Sequence, residues 1–95
     1  HHASRGYVYS GIGVELEQRA DQYVVRRVFA GSPADGVVQP GAVLVRANGY
    51  RAQDLGGWTG LIRGEPGTTV ELELAYHCGG HETVTLKRDT IRVRR

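Results

Sequence analysis

The sequence contains a single cysteine, Cys78, and no long apolar run. One cysteine excludes an internal disulfide framework, which suits a reducing compartment but also an oxidising one where no bridge is needed. No segment approaches the roughly 18 apolar residues of a membrane-spanning helix, and no signal peptide is recognisable. The basic residues are scattered apart from a short C-terminal cluster, and the net charge is only +2. We therefore expect neither nucleic acid as a partner nor insertion into a membrane.

The arrangements that support hydrolytic or metal chemistry are also missing. None of the serines lies in a Gly-x-Ser-x-Gly turn, and no histidine is spaced for a Ser-His-Asp relay. His77, Cys78 and His81 are metal-ligand types, but they flank a predicted hairpin turn, where the cysteine points away from the histidines. No fourth ligand accompanies them. We expect no catalytic residue, no metal and no cofactor in this chain.

Fourteen glycines and three prolines divide the 95 residues into short segments, as is typical of a small sheet-rich fold. The opening "HHAS" resembles a purification-tag remnant, and the chain ends abruptly in "RVRR". We assign residues 1–8 to a tag remnant and N-terminal lead-in and residues 9–93 to one domain. Residues 94–95 then begin a link to a following domain, so that the chain is a piece of something longer.

Alternating apolar and polar residues predict strands, and the capping signals predict two helices. The predicted strands are 14–17, 23–29, 43–47 with a short return after the Asn48-Gly49 turn, 68–76, and 82–88. Ser32, Pro33 and Gly36 predict a helix of one to two turns, and Asp54 caps a longer one over 55–64. About five or six strands with these helices predict an α+β fold, a small, partly open β-barrel or sandwich.

The last two strands form a predicted hairpin whose register follows from its apolar faces. A three-residue loop, Cys78-Gly79-Gly80, pairs Leu74 with Val84 and keeps the apolar side chains of both strands on one face. A two-residue loop would separate them. The prediction places His77 opposite His81.

The stretch "YSGIGVELE" (residues 9–17) puts two glycines at the start of a strand, where glycine is disfavoured. One interpretation is a tight bend. Another is a loop whose bare amides approach an anion, as in a backbone nest. A phosphate loop is a poor match, because a third glycine, a lysine and a preceding strand are missing.

Five pieces in order carry a family resemblance: "YSGIGVELE", "AGSPADG", "QPGAVLVRANG", "LIRGEPGTTVELEL" and "VTLKRDTIRV". Together they resemble the bacterial, circularly permuted PDZ domain of C-terminal processing (tail-specific) serine proteases. The likeness runs from Tyr9 to Val93, nearly the whole chain. No single piece is specific, and the order of all five makes the resemblance strong.

The resemblance implies a site for C-terminal peptide tails with an apolar last residue. The amides that would receive the peptide's carboxylate are those of Gly11, Ile12, Gly13 and Val14. The groove would be formed by the strand edge at Glu15 and Leu16 and by the helical wall of Leu55, Thr59 and Ile62. Trp58 and Leu61 would face the core or flank, and Arg5 would be a candidate partner of the carboxylate.

The same resemblance leaves three roles open. The domain would present tails to a protease domain elsewhere in the parent, or cover the parent's own protease domain as a gate, or serve as a scaffold in a secretion or signalling protein without a protease. The first two imply a periplasmic or secreted parent and a fragment that itself hydrolyses nothing.

Two departures from the family pattern stand out. Ala42 follows Pro-Gly where an aspartate is usual, which leaves the groove untouched. Gly56, Gly57 and Gly60 replace helix-forming residues, and each costs about 1 kcal/mol relative to alanine. The glycines predict a weakly formed groove wall.

Overall fold

A computed structural model of the chain describes residues 7–93, without the side chain of Tyr7. Arg5, most of the assigned lead-in, and the link at 94–95 lie outside the described residues. Tyr7 and Val8, which the sequence assigned to the lead-in, belong to the first strand.

The described residues form seven strands and one helix in the order β1, β2, β3, β4, α1, β5, β6, β7. Their bounds are β1 Tyr7–Gly11, β2 Val14–Arg19, β3 Gln22–Val28, β4 Val43–Ala47, α1 Leu55–Ile62, β5 Thr69–Ala75, β6 His81–Lys87 and β7 Asp89–Val93. Five strands form one antiparallel sheet in the order β2-β3-β4-β5-β6, and β1 pairs with β7 in a second sheet. The α+β class and the open architecture are confirmed.

The core lies between the five-stranded sheet and α1. Val70, Leu72 and Leu74 alternate along β5 and are fully buried, because a half-covered strand turns every second side chain inward. Trp58, on the inner face of α1, is 2% exposed and packs against Tyr23, with ring centroids 6.1 Å apart. This packing holds α1 over the sheet in spite of its glycines.

The strand count and the short helix need correction. Seven strands replace the predicted five or six, because the two ends of the domain pair as β1 and β7. The segment around Pro33 forms successive turns instead of a helix. The Ser32 hydroxyl donates to the Phe29 carbonyl at 2.7 Å and does not cap a helix, and Gly31 and Gly36 interrupt the segment with φ of 77° and 78°.

The β5–β6 hairpin has the predicted loop length in a different register. Its loop is displaced by one residue to 77–79, with the Tyr76 N–H bonded to the Gly80 carbonyl at 2.9 Å. Leu74 consequently lies opposite Glu82, and His81 lies opposite Ala75, not opposite His77. The pairing shifts by two residues, an even number, so the apolar side chains stay on one face. Gly79, with φ of 89°, takes the left-handed position that ends a three-residue loop.

The Asn48-Gly49 turn is confirmed, with φ of 52° and 82°. These values match the turn type in which both central residues have positive φ. The predicted return strand is reduced to one bridge between Ala47 and Tyr50.

The predicted cap of α1 is confirmed. Asp54 is extended, and its carboxylate accepts a hydrogen bond from the Gly57 N–H at 2.6 Å. A Cβ built on Gly57 would lie 2.9 Å from Ala52 Cβ and 3.0 Å from the Asp54 carboxylate. The glycine therefore lets the cap approach the first turn of the helix.

Asp54→Ala is expected to lower the free energy of unfolding by about 1 kcal/mol, because the Gly57 N–H loses its acceptor. Urea denaturation followed by tryptophan fluorescence measures the change. Asp54→Asn is the control and should remain close to wild type, since asparagine caps helices equally well. Equal stability of the alanine variant would contradict the assigned cap.

Candidate functional site

A cleft of about 200 Å³ separates β2 from α1. Its lining comes from β1, β2, the loop between them, the residue after β3, and one side and the end of α1. The lining residues are Tyr9, Ile12, Gly13, Val14, Glu15, Leu16, Phe29, Leu55, Thr59, Ile62 and Arg63. All of the site residues predicted from the sequence except Gly11 line it, and Gly11 is a buried neighbour in the adjoining loop.

The strand side of the cleft is the edge of the five-stranded sheet, because among residues 7–93 β2 pairs only with β3. The Phe29 N–H donates to the Gly13 carbonyl at 2.9 Å, and Val14 lies opposite Val28. Opposite pairs in an antiparallel ladder alternate between bonded and non-bonded. The backbone groups of Val14 therefore point away from β3, into the cleft, where another strand could pair.

The loop between β1 and β2 closes one end of the cleft with backbone amides. The Ile12 carbonyl accepts from the Ala34 N–H at 3.0 Å, which anchors the loop to the turn at 31–36. Within residues 7–93, the N–H groups of Ile12 and Gly13 donate to no acceptor. Gly13 has φ of 86°, and the Ile12 side chain is 1% exposed. Two adjacent backbone N–H donors on a loop that is anchored in this way are suited to bind an anion.

The helical side of the cleft matches the predicted spacing. Leu55, Thr59 and Ile62 line the cleft, while Trp58 is buried in the core and Leu61 is half-buried against it. The i, i+4, i+7 interval places the three lining residues on one helical face. Leu55 and Ile62 on the helix, with Val14 and Leu16 on β2, give the cleft apolar walls.

Three lining residues were missed from the sequence: Tyr9, Phe29 and Arg63. Tyr9 lies on β1, which no local pattern identified, and Phe29 reaches the cleft because its N–H is bonded to Gly13. Arg63 is the first residue after α1, with its guanidinium 4.2 Å from the Tyr9 ring centre. Helical spacing could have identified Arg63, because this residue directly follows Ile62 and lies at the same end of the helical wall.

Charges along β2 are largely compensated. Arg26 lies 3.6 Å from Glu15 and 3.9 Å from Glu17. The hydrogen bond from Arg19 holds the pKa of the Glu17 carboxyl below its usual value. These exposed pairs contribute little to stability, since solvent screens them. They place a positive charge beside each of the two glutamates of β2.

The described residues contain no cluster of three or more histidine, cysteine and acidic side chains that could hold a metal ion. Cys78 and both predicted hairpin histidines are exposed at the β5–β6 turn, away from the cleft. Across residues 7–93, no helix has the length and apolar character needed to cross a bilayer.

No family model matches the chain, but its sequence is similar to one region of two processing proteases. It is 32% identical over 88 residues to the carboxy-terminal processing protease CtpA of Bacillus subtilis strain 168, covering 90% of this chain and 19% of that protein. It is also 32% identical over 89 residues to a probable CtpA-like serine protease of Staphylococcus saprophyticus, covering 90% of this chain and 18% of that protein. The chain thus spans about a fifth of the length of these relatives.

Solved structures agree with the sequence relatives. The PDZ domain of a carboxy-terminal protease from Vibrio cholerae, solved in complex with a peptide, superposes with a TM-score of 0.79 at 26% identity. The match covers 92% of this chain and 100% of that one. A photosystem II D1 C-terminal processing protease gives a TM-score of 0.78 at 26% identity, and the match covers 86% of this chain and 23% of that one. The chain is therefore a PDZ domain of the kind found in C-terminal processing proteases.

Proposed function

We propose that this domain binds C-terminal peptide tails by adding them as a strand to the edge of β2. The observation that carries the proposal is the cleft itself: a free strand edge, an apolar helical wall and a closed end with two unbonded amides. The amides at 11–14 would hold the terminal carboxylate, and Glu15, Leu16, Leu55, Thr59 and Ile62 would flank the peptide. The peptide bound to the related Vibrio domain supports this assignment.

The expected affinity is modest. About three main-chain hydrogen bonds at ~1 kcal/mol and one charge-assisted contact at ~2 kcal/mol give roughly 5 kcal/mol. One buried apolar side chain adds about 2 kcal/mol. The cost of ordering the peptide reduces the sum, so dissociation constants of about micromolar to millimolar follow. Such a module recruits its partner transiently.

The size and lining of the cleft support an apolar last residue. Its volume of about 200 Å³ is below the roughly 300–1,000 Å³ of pockets that enclose drug-sized ligands. A single aliphatic side chain suits this space, because Leu16, Leu55 and Ile62 supply apolar contacts. Leu55 at the start of α1 also favours an apolar residue two positions before the end.

For the parent protein, we propose a C-terminal processing serine protease in which this domain recruits or gates substrates. The two sequence relatives are proteases of this kind and are about five times longer than the matched region. Catalytic residues would then lie outside this chain, and the location would be periplasmic or secreted. The gating alternative makes the parent's own protease domain the partner of the same cleft. A parent with no protease domain would instead support the scaffold role.

Thr59→Arg tests the groove directly. Thr59 is half-buried in the middle of the helical wall, and an arginine there would occupy the cleft. We expect at least a tenfold loss of affinity for a free-acid peptide ending in Leu-Val-Ala, measured by calorimetry, with an unchanged circular dichroism spectrum.

Gly60→Ala is the matched control. Gly60 is exposed on the other side of α1, and a Cβ there would meet nothing within 4 Å. This variant should bind like wild type and be more stable by up to about 1 kcal/mol. Undiminished binding by a folded Thr59→Arg variant would show that peptides do not use this cleft.

A further inference from the structure

Arg63 stands at the closed end of the cleft, beside the loop with the free amides. It follows the last residue of α1, and its N–H donates to the Thr59 carbonyl at 2.9 Å, which fixes its backbone. Its Cγ would lie 3.5 Å from a Cβ built on Gly11. The side chain therefore passes directly against the loop, and the residue lines the cleft.

The Arg63 guanidinium has no carboxylate partner among residues 7–93. The ion pairs found there use other arginines: Arg19 with Glu17, Arg26 with two glutamates of β2, and Arg46 with Glu73. Glu15, the acidic residue that lines the same cleft, is the one nearest Arg26. The positive charge at this end of the cleft is therefore uncompensated within the described domain.

The ring of Tyr9 supports the guanidinium from one side. The guanidinium carbon lies 4.2 Å from the ring centre, within the range of a cation–π contact. Stacking on a ring leaves the edge of a guanidinium available to donate in its own plane, where a carboxylate can accept two parallel hydrogen bonds. Tyr9 thus orients Arg63 without neutralising it.

We propose that Arg63 pairs with the terminal carboxylate of the bound peptide, together with the Ile12 and Gly13 amides, and that Tyr9 is its positioning residue. The inference rests on the proposed function. The cation that pairs with the carboxylate is then Arg63, at the end of the helical wall. The sequence had instead suggested Arg5, which precedes the loop. A cation and two amides at the same end of the cleft would together favour a free C-terminus over an amidated one.

A comparison of four proteins with two peptides tests this. Calorimetry would measure a peptide ending in free-acid Leu-Val-Ala and its amidated twin against wild type, Arg63→Gln, Arg63→Lys and Arg51→Gln. Arg51 is exposed and outside the cleft, so its variant removes the same charge elsewhere. Wild type should prefer the free acid at least tenfold. Arg63→Gln should lower the affinity for the free-acid peptide about tenfold and the affinity for the amidated peptide less than twofold.

The remaining variants complete the pattern. Arg63→Lys should retain part of the preference, since it keeps the charge and loses the planar fork, and Arg51→Gln should match wild type. Equal weakening of both peptides by Arg63→Gln, or an undiminished preference for the free acid, would overturn the assignment of Arg63 alone. A wild-type domain that binds both peptides equally, or neither, would overturn both this inference and the proposed function.

Discussion

Gly13→Ala is expected to destabilise the domain by about 3 kcal/mol or more and to abolish peptide binding. Gly13 has φ of 86°, and a Cβ added there would overlap the Cβ and Oγ of Ser32. Ser32 cannot easily retreat, because its hydroxyl is bonded to the Phe29 carbonyl at 2.7 Å. The loop and the turn at 31–36 would have to separate, and the amides would lose their placement. Urea denaturation and peptide calorimetry measure the two effects.

Gly36→Ala is the matched control for backbone strain. Gly36 has a similar φ of 78°, but a Cβ there would meet nothing within 4 Å. It should cost only about 1–2 kcal/mol and leave binding intact. Gly13→Ala combined with Ser32→Gly should recover part of the lost stability by removing the overlap. Equal destabilisation by the Gly13 and Gly36 variants would contradict the close contact between loop and turn.

Arg88→Ala is expected to cost about 3 kcal/mol and to loosen the groove wall. Arg88 lies between β6 and β7 and donates to the Ile62 carbonyl at 2.8 Å and the Leu61 carbonyl at 3.1 Å. It also donates to the Thr69 carbonyl and the Thr68 hydroxyl, both at 3.0 Å. It therefore satisfies the free carbonyls at the end of α1, where the helix's own last turn has no basic residue.

Two measurements separate the local effect from the global one. Hydrogen exchange should show lost protection in the last turn of α1 before any loss in β5, and urea denaturation gives the overall change. Lys87→Ala removes a neighbouring exposed cation and should alter stability by less than about 0.5 kcal/mol. An Arg88→Ala variant with wild-type exchange across α1 would show that these hydrogen bonds do not hold the wall.

The sequence predicted the elements whose pattern is local. Half-buried strands alternate, so Val70, Leu72 and Leu74 on β5 identified both a strand and its inner face. Asp54 and the spacing of Leu55, Thr59 and Ile62 predicted α1 in spite of its glycines. The large buried surface of Trp58 accounts for that success, because packing of one face outweighs weak helix propensity.

The elements that were missed depend on contacts between distant segments. β1 and β7 pair across nearly the whole chain, with Tyr9 opposite Ile91, and no local pattern encodes such a pairing. The hairpin register was wrong by two residues because an even change preserves the apolar face that guided the prediction. Arg63 was missed for a related reason: its proposed role depends on Tyr9 and the glycine loop, which only the folded chain brings beside the end of α1.

An NMR titration would show whether the cleft recognises free C-termini. Amide shifts of the isotope-labelled domain would be followed with a peptide ending in free-acid Leu-Val-Ala and with its amidated twin. We expect shifts concentrated at residues 11–16 and 55–62 that are largely lost with the amidated peptide. Identical responses to the two peptides, or shifts centred away from these two segments, would contradict the proposed function.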